Sequence, residues 1–206
     1  MFNLIKPSDM HALVVNSSGR TDLSVSRKLV VELVDELKAK HPGLTFCYRD
    51  AAAGLPFVNE LMISGFYLPA ELRTPEQTQS LAFSDQLVQE LQAADVLIIG
   101  APIYNFSIPA SLKAWVDLIA RAGLTFSFSE MGFQGLLHNK KAYLVVTSGG
   151  VEVGSPADMA TPYLRLVLGF VGITDVEVIS ADQLNLLGEQ PIGAARDAIQ
   201  HIHAVA

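Results

Sequence analysis

Residues 96–128 read VLIIGAPIYNFSIPASLKAWVDLIARAGLTFSF. Val96–Gly100 is a short, wholly apolar run, the pattern of a strand buried on both faces. Residues 110–122 read as a helix, with Pro109 at the first-turn position that tolerates proline. The loop between them therefore lies at the carboxyl end of a parallel strand, the edge where open α/β sheets bind ligands. Pro102, Tyr104, Phe106, Ile108 and Pro109 stiffen this loop and give it flat apolar surface. Asn105 adds an amide that both donates and accepts hydrogen bonds. The mixture suits a large, flat, hydrogen-bonding ring.

Outward from this stretch, strands and helices alternate. His11–Ser17 reads as a first strand and Leu44–Arg49 as a second. Val96–Gly100 is the third, Ala142–Thr147 the fourth and Thr174–Ser180 the fifth. Ser24–Lys40 carries Leu29, Val30, Leu33, Val34 and Leu37 at helical spacing, and His41-Pro42-Gly43 stops it. Thr74-Pro75-Glu76-Gln77 has the capping-box pattern of a helix start, and that helix runs to about Ala94. A helix begins at Thr161-Pro162 and ends near Gly169; another closes the chain over Pro191–Val205. Alternation of this kind predicts a parallel sheet covered on both faces within a single domain, residues 1–206. Two segments exceed ordinary loop length, Ala51–Arg73 and Thr125–His138. Both are rich in large apolar residues, Met131 among them. Such segments bury their side chains in their own core, against a partner subunit or against a flat ligand.

The totals exclude several classes. Of 206 residues, 14 are Lys or Arg and 21 Asp or Glu, a net charge of −7. A nucleic-acid binder would need a basic face. The single cysteine, Cys47, permits neither an internal disulfide nor a cysteine metal cluster. Its place in a predicted strand suggests a buried, inert thiol. Pro7 and Asp9 interrupt the apolar start, so no secretory leader is expected. No apolar run approaches membrane-spanning length, and a soluble cytoplasmic protein is the expectation. His11, His41, His138, His201 and His203 show no metal-ligand pattern; His201 and His203, two apart, do not share a helical face. No GxSxG nucleophile elbow is present. Trp115 reads as core, and Ser155–Asp158 as a turn or capping box.

Two further loops lie at the same predicted edge. After the first strand comes Ser17-Ser18-Gly19-Arg20-Thr21-Asp22-Leu23-Ser24-Val25-Ser26. A helix N-terminus offers unpaired N–H groups and partial positive charge, and serine hydroxyls add donors, so this is a phosphate cradle without a lysine. The plainer reading is a helix cap supplied by Asp22, Ser24 or Ser26. Neither the P-loop ending nor GxGxxG is present. After the fourth strand comes Thr147-Ser148-Gly149-Gly150, which reads either as a close-approach site for a ligand or as a tight turn. The convergence of all three loops on one edge favours a ligand site.

At these residues the sequence resembles the FMN-dependent NADH-azoreductase and NAD(P)H:quinone oxidoreductase family of flavodoxin-like proteins. The match covers nearly the whole chain. It is most specific over Pro102–Phe126, where the family shows P-M-Y-N-F-x-I-P and then LK…D.I.RAG.TF. The serine loop resembles the family's phosphate loop in spacing, and Thr161–Ile173 its late helix and turn. The resemblance implies a flavodoxin-like three-layer sandwich whose five-stranded parallel sheet has the order 2-1-3-4-5. Ser18, Ser24, Val25 and Ser26 would hold the FMN phosphate. Pro102, Ile103, Tyr104, Asn105 and Phe106 would hold the ring, and Thr147, Ser148, Gly149 and Gly150 its pyrimidine edge. Ile103 replaces a frequent methionine, Val25 a frequent glutamine and Phe128 a frequent tyrosine. The TSGG loop lacks the arginine of the family's S-R-G-G.

The implied reaction is a two-step ping-pong cycle. NADH or NADPH passes hydride to flavin N5 and leaves; a quinone or aromatic azo compound then takes the electrons from the same site. Asn105, Gly149 and Gly150 would position the ring, with the glycine N–H groups stabilising negative charge on reduction. No protein acid is required, and nothing in the spacing assigns His138 that role. No metal is implied. A homodimer whose partner walls the site is implied, with Phe57, Phe126 and Phe128 as substrate-pocket residues and Phe66 and Tyr67 beside them as interface candidates. Ordinary core packing is the alternative for each. Two rival functions stand against this reading: a flavodoxin-like electron carrier without NADH-dependent turnover, and a flavin-free interaction protein on the same fold.

Overall fold

The computed structural model describes residues 10–130 and 132–202. Pro7, Asp9, Met131 and His203, and the end of the closing helix beyond residue 202, lie outside the described residues. The strands are β1 (His11–Asn16), β2 (Thr45–Asp50), β3 (Val96–Pro102), β4 (Phe126–Ser129), β5 (Gly132–Gly135), β6 (Lys141–Thr147) and β7 (Asp175–Ala181). The helices are α1 (Val25–Lys40), α2 (Glu60–Phe66), α3 (Pro75–Ala93), α4 (Ala110–Ile119), α5 (Thr161–Val171), α6 (Leu184–Leu187) and α7 (Gln190–Gln200). Five strands form one sheet in the order β2-β1-β3-β6-β7, and every pair is parallel. Counting only the sheet's own strands, this is the predicted 2-1-3-4-5, the flavodoxin-like order.

Strand alternation explains the layers. Leu13, Val15, Leu97, Ile99, Leu144 and Val146 point to one face, where they pack with Leu87 and Leu91 of α3, Leu112 and Trp115 of α4 and Leu164 of α5. Ala12, Val14, Ile98, Tyr143 and Val145 point to the other, against Leu29, Leu33 and Leu37 of α1 and Ala195 and Ile199 of α7. Because both faces are buried, the central strands read as unbroken apolar runs. Trp115 is core, as its sequence position suggested.

Several boundaries move for identifiable reasons. β3 continues to Pro102 because Ala101 and Pro102 still pair with Val146 and Thr147. Pro109 caps α4 instead of occupying its first turn, and its carbonyl accepts from the N–H groups of Leu112 and Lys113 at 2.9 and 3.0 Å. α4 stops at Ile119, where the Thr125 hydroxyl donates to the Ile119 carbonyl at 2.7 Å. α5 passes Gly169 and ends at Gly172, whose φ of 105° suits glycine. The capping box at Thr74 forms reciprocally with Gln77.

Both long segments contain regular structure. Residues 51–73 hold α2, started by the Asn59 side chain accepting from the Met62 N–H at 3.0 Å, between single 3₁₀ turns at Ala51–Ala53 and Ala70–Leu72. Residues 126–135 form the β4–β5 antiparallel hairpin. The expectation for Cys47 is corrected: its thiol is exposed. β2 is the sheet's edge strand, and Tyr48 beside Cys47 is 57% exposed. Edge position outweighs strand propensity in deciding burial there.

Candidate functional site

β1, β3 and β6 all end at one edge of the sheet, and the order reverses between β1 and β3. Loops on either side of such a reversal part and leave a crevice. The first wall of that crevice is the serine loop. Ser24 caps α1, accepting from the Arg27 N–H at 3.3 Å. Its hydroxyl also meets that of Ser26 at 3.1 Å. The helix-cap reading is therefore correct, and it does not exclude an anion. The first N–H groups of a helix lack intrahelical acceptors, Val25 and Ser26 line the cavity, and no carboxylate occupies the first turn. Ser17, Ser18, Ser24 and Ser26 are all buried. The Ser17 hydroxyl donates to the Gly100 carbonyl at 2.7 Å, and the Ser111 hydroxyl donates to the Ser17 carbonyl at 3.2 Å. These two bonds lock the serine loop to β3 and α4.

The second wall is the Tyr104–Ser107 turn. The two residues exchange backbone hydrogen bonds, Tyr104 N–H to the Ser107 carbonyl at 2.9 Å and the reverse at 3.1 Å. Asn105 and Phe106 between them take φ of 49° and 71°. Asparagine tolerates that region; phenylalanine is strained there. The surroundings hold the turn in place: the Ile103 N–H donates to the Thr147 carbonyl at 2.7 Å, and the Met159 N–H to the Phe106 carbonyl at 2.9 Å. Strain of this kind concentrates at functional sites. The Tyr104 hydroxyl meets that of Ser18 at 3.2 Å, closing the gap to the first wall.

The third wall is Thr147–Gly150, backed by the turn after β7. The Ser148 hydroxyl accepts from the Gln183 N–H at 3.1 Å and donates to the Val151 carbonyl. The Asn185 N–H donates to the Gly149 carbonyl at 2.8 Å. A Cβ at Gly149 would lie 2.7 Å from the side-chain amide nitrogen of Asn185, so a larger residue there would have to displace that side chain. Below this wall Asp158 receives the N–H groups of Gly154, Ala160 and Thr161 at 2.9–3.0 Å. Burial pushes its carboxyl up, but the bonds from Gly154, Thr161 and Ala160 outweigh that and hold it below the usual carboxylate range.

Two cavities share Ile103, Ser148 and Gly149 as a common wall. One, of about 410 Å³, is lined by Ser18, Ser24, Val25, Ser26, Pro102, Ile103, Tyr104, Thr147, Ser148 and Gly149. The other, of about 540 Å³, is lined by Ile103, Asn105, Phe106, Ser148, Gly149 and Gly150, among others. Every cofactor-site residue named from the sequence thus lines one or other of these two adjoining cavities. Phe57, Phe126 and Phe128 do not line these cavities. Phe126 packs on Phe170 with ring centroids 4.5 Å apart, while Phe57 and Phe128 are 74% and 73% exposed. Sequence reading missed Arg20, Leu23, Leu184 and Asn185, all of which line the first cavity. Arg20 stood within the quoted serine loop, but Asn185 meets Gly149 only through the β6–β7 pairing. Among the described residues no cluster of His, Cys, Asp or Glu could hold a metal ion.

A family model for the flavodoxin-like fold matches residues 10–205. The FMN-dependent NADH:quinone oxidoreductase 1 of Hahella chejuensis is 49% identical over 192 residues, covering 93% of each chain. The FMN-dependent NADH:quinone oxidoreductase of Thiobacillus denitrificans is 50% identical over 193 residues, covering 94% of this chain and 93% of that one. Among solved structures, the azoreductase of Bacillus anthracis superposes with a TM-score of 0.83 at 28% identity, covering 94% of this chain and 100% of that one.

Proposed function

The chain belongs to the flavodoxin-like fold family, and we propose that within it the protein is an FMN-dependent oxidoreductase that reduces quinones and aromatic azo compounds with NADH. The observation that carries this reading is the pair of adjoining cavities, which together have two different ends. One end is a serine-lined helix N-terminus that suits a phosphate; the other is a strained aromatic turn facing a glycine pair, which suits a flat ring. The relatives named above are NADH oxidoreductases and an azoreductase, which sets the electron-carrier alternative aside.

FMN bound there would supply the hydride chemistry that none of these side chains can provide. Ser18, Ser24 and Ser26 would hold its phosphate, with the N–H groups of Val25 and Ser26 and the positive end of α1. Val25 contributes only its backbone, so the missing glutamine costs one side-chain bond. Pro102, Ile103, Tyr104 and Phe106 would fix the ring's plane and exclude water from it. Asn105 would fix its direction, and Thr147, Ser148 and the N–H groups of Gly149 and Gly150 would face its pyrimidine edge. NADH and the acceptor would use the remaining apolar surface alternately, and solvent would protonate the product.

The chain would act as a single domain and pair as a homodimer. The exposed aromatics Phe57, Tyr67, Phe128 and Phe133 support this, because a monomer leaves them wet. A partner copy would turn Phe57 and Phe128 into pocket or interface walls. Among the described residues no helix is long and apolar enough to cross a membrane, and a soluble cytoplasmic enzyme fits that and the charge of −7. Steady-state rates measured over a grid of NADH and quinone concentrations test the shared site. Parallel double-reciprocal lines are the expected result; intersecting lines would mean that both substrates bind together and would overturn alternate use.

A further inference from the structure

Arg27 occupies the third position of the first turn of α1, where a cation opposes the helix dipole. Its side chain is nevertheless only 18% exposed. Its Nε donates to the Arg20 carbonyl at 3.0 Å, and its Nη2 donates to the Ser18 carbonyl at 2.8 Å and to Asp50 Oδ1 at 2.9 Å. Asp50 is held in turn, since the same oxygen accepts from the Ala52 N–H at 3.0 Å. Arg27 is not among the residues that line the cavity, whereas Ser18 and Arg20 are. The guanidinium therefore grips the serine loop from behind.

The grip has a consequence for anion binding. A trans peptide points its C=O and the following N–H in opposite directions. Drawing the carbonyls of Ser18 and Arg20 onto the guanidinium keeps two partial negative charges off the cavity side. It also turns the N–H groups of Gly19 and Thr21 away from Arg27. Ser18, whose carbonyl is clamped, presents its hydroxyl to the Arg20 N–H at 3.2 Å and to Tyr104. The planar fork of arginine can hold two carbonyls and a carboxylate at once; a lysine ammonium has no such fixed geometry.

We propose that Arg27, anchored by Asp50, is a positioning residue that preorganises the serine loop for the phosphate of FMN. This rests on the flavin reading given above. Asp50 ends β2 and opens the 51–73 segment, so the same contact ties the phosphate loop to the segment that carries Phe57.

The test is titration of the flavin-free protein with FMN and with riboflavin, which lacks the phosphate, followed by flavin fluorescence. Wild type is compared with Arg27→Gln, Arg27→Lys and Asp50→Asn. Arg27→Gln should weaken FMN roughly tenfold or more, the worth of one charged hydrogen bond, while riboflavin affinity changes less than about twofold. Arg27→Lys should recover only part of the loss, and Asp50→Asn should also weaken FMN. Equal losses for both flavins would mean general damage to the fold and would overturn the proposal. If Arg27→Lys matches wild type and Asp50→Asn tightens FMN, Arg27 acts only as a charge, which overturns it as well. Failure of the wild type to bind either flavin would instead remove the flavin reading, and this inference with it.

Discussion

Phe106 is the residue at which sequence, strain and chemistry meet. The left-handed conformation costs a non-glycine residue roughly 1–2 kcal/mol, and glycine would occupy it freely. The residue is 60% exposed, so burial does not repay the strain. The proposed reason for the ring is its contact with what the cavity binds. Phe106→Gly should leave the flavin-free protein as stable as wild type or up to about 1 kcal/mol more stable, since relief of strain outweighs glycine's entropy cost. The same variant should bind FMN about fivefold or more weakly through loss of an aromatic contact. Thermal denaturation and flavin titration read the two effects separately; a clear fall in stability would show that the turn is not strained. The sequence marked this loop as unusual through Tyr104, Asn105 and Phe106. Only Asn105 hinted at the backbone geometry, because asparagine visits positive φ and phenylalanine ordinarily does not. Arg27 gave no hint, since a long cation on an amphipathic helix ordinarily reads as a solvated face.

At the scale of elements, legibility followed burial. β1, β3 and β6 were visible as apolar runs because both faces are covered, while α1 showed its apolar spacing and α3 its capping box. The β4–β5 hairpin was not visible as strands. Its strands are four residues each, and they lie outside the main sheet, so propensity had little length to act on. Residues 51–73 hid α2 for a similar reason: seven residues between Gly, Pro and Asn carry too short a period. β2 was found as a strand, but its edge position, and with it the exposure of Cys47, is a property of the assembled sheet. The hairpin also bears on assembly. Phe128 and Phe133 meet edge to face at 5.1 Å, yet Phe128 is largely exposed. If a second copy covers this patch, Phe128→Glu should weaken self-association more than tenfold, as for a buried aromatic anchor. Sedimentation across a dilution series measures it. An unchanged association, or a wild type that is monomeric throughout, would separate the hairpin from any dimer contact.

For the whole molecule, the fold could be read before its coordinates because sheet order and site location are linked. Five parallel strands in the order β2-β1-β3-β6-β7 place the reversal beside β1 and β3, and the crevice opens at that point with residues drawn from loops far apart in sequence. The sequence located three of those loops by their chemistry. The fourth, Gln183–Asn185, becomes part of the site because β7 lies beside β6. The electrostatic design is equally global: a net negative chain keeps a locally positive pocket at the start of α1, where no carboxylate competes.

The central claim is that this crevice holds FMN and lets NADH reduce it. The most direct measurement is anaerobic mixing of the FMN-reconstituted protein with NADH, followed by flavin absorbance, and then addition of a quinone. The account predicts rapid bleaching to the two-electron reduced form and full recovery of the oxidised spectrum on quinone addition. Bound FMN that NADH leaves unbleached would contradict it and return the protein to the class of electron carriers.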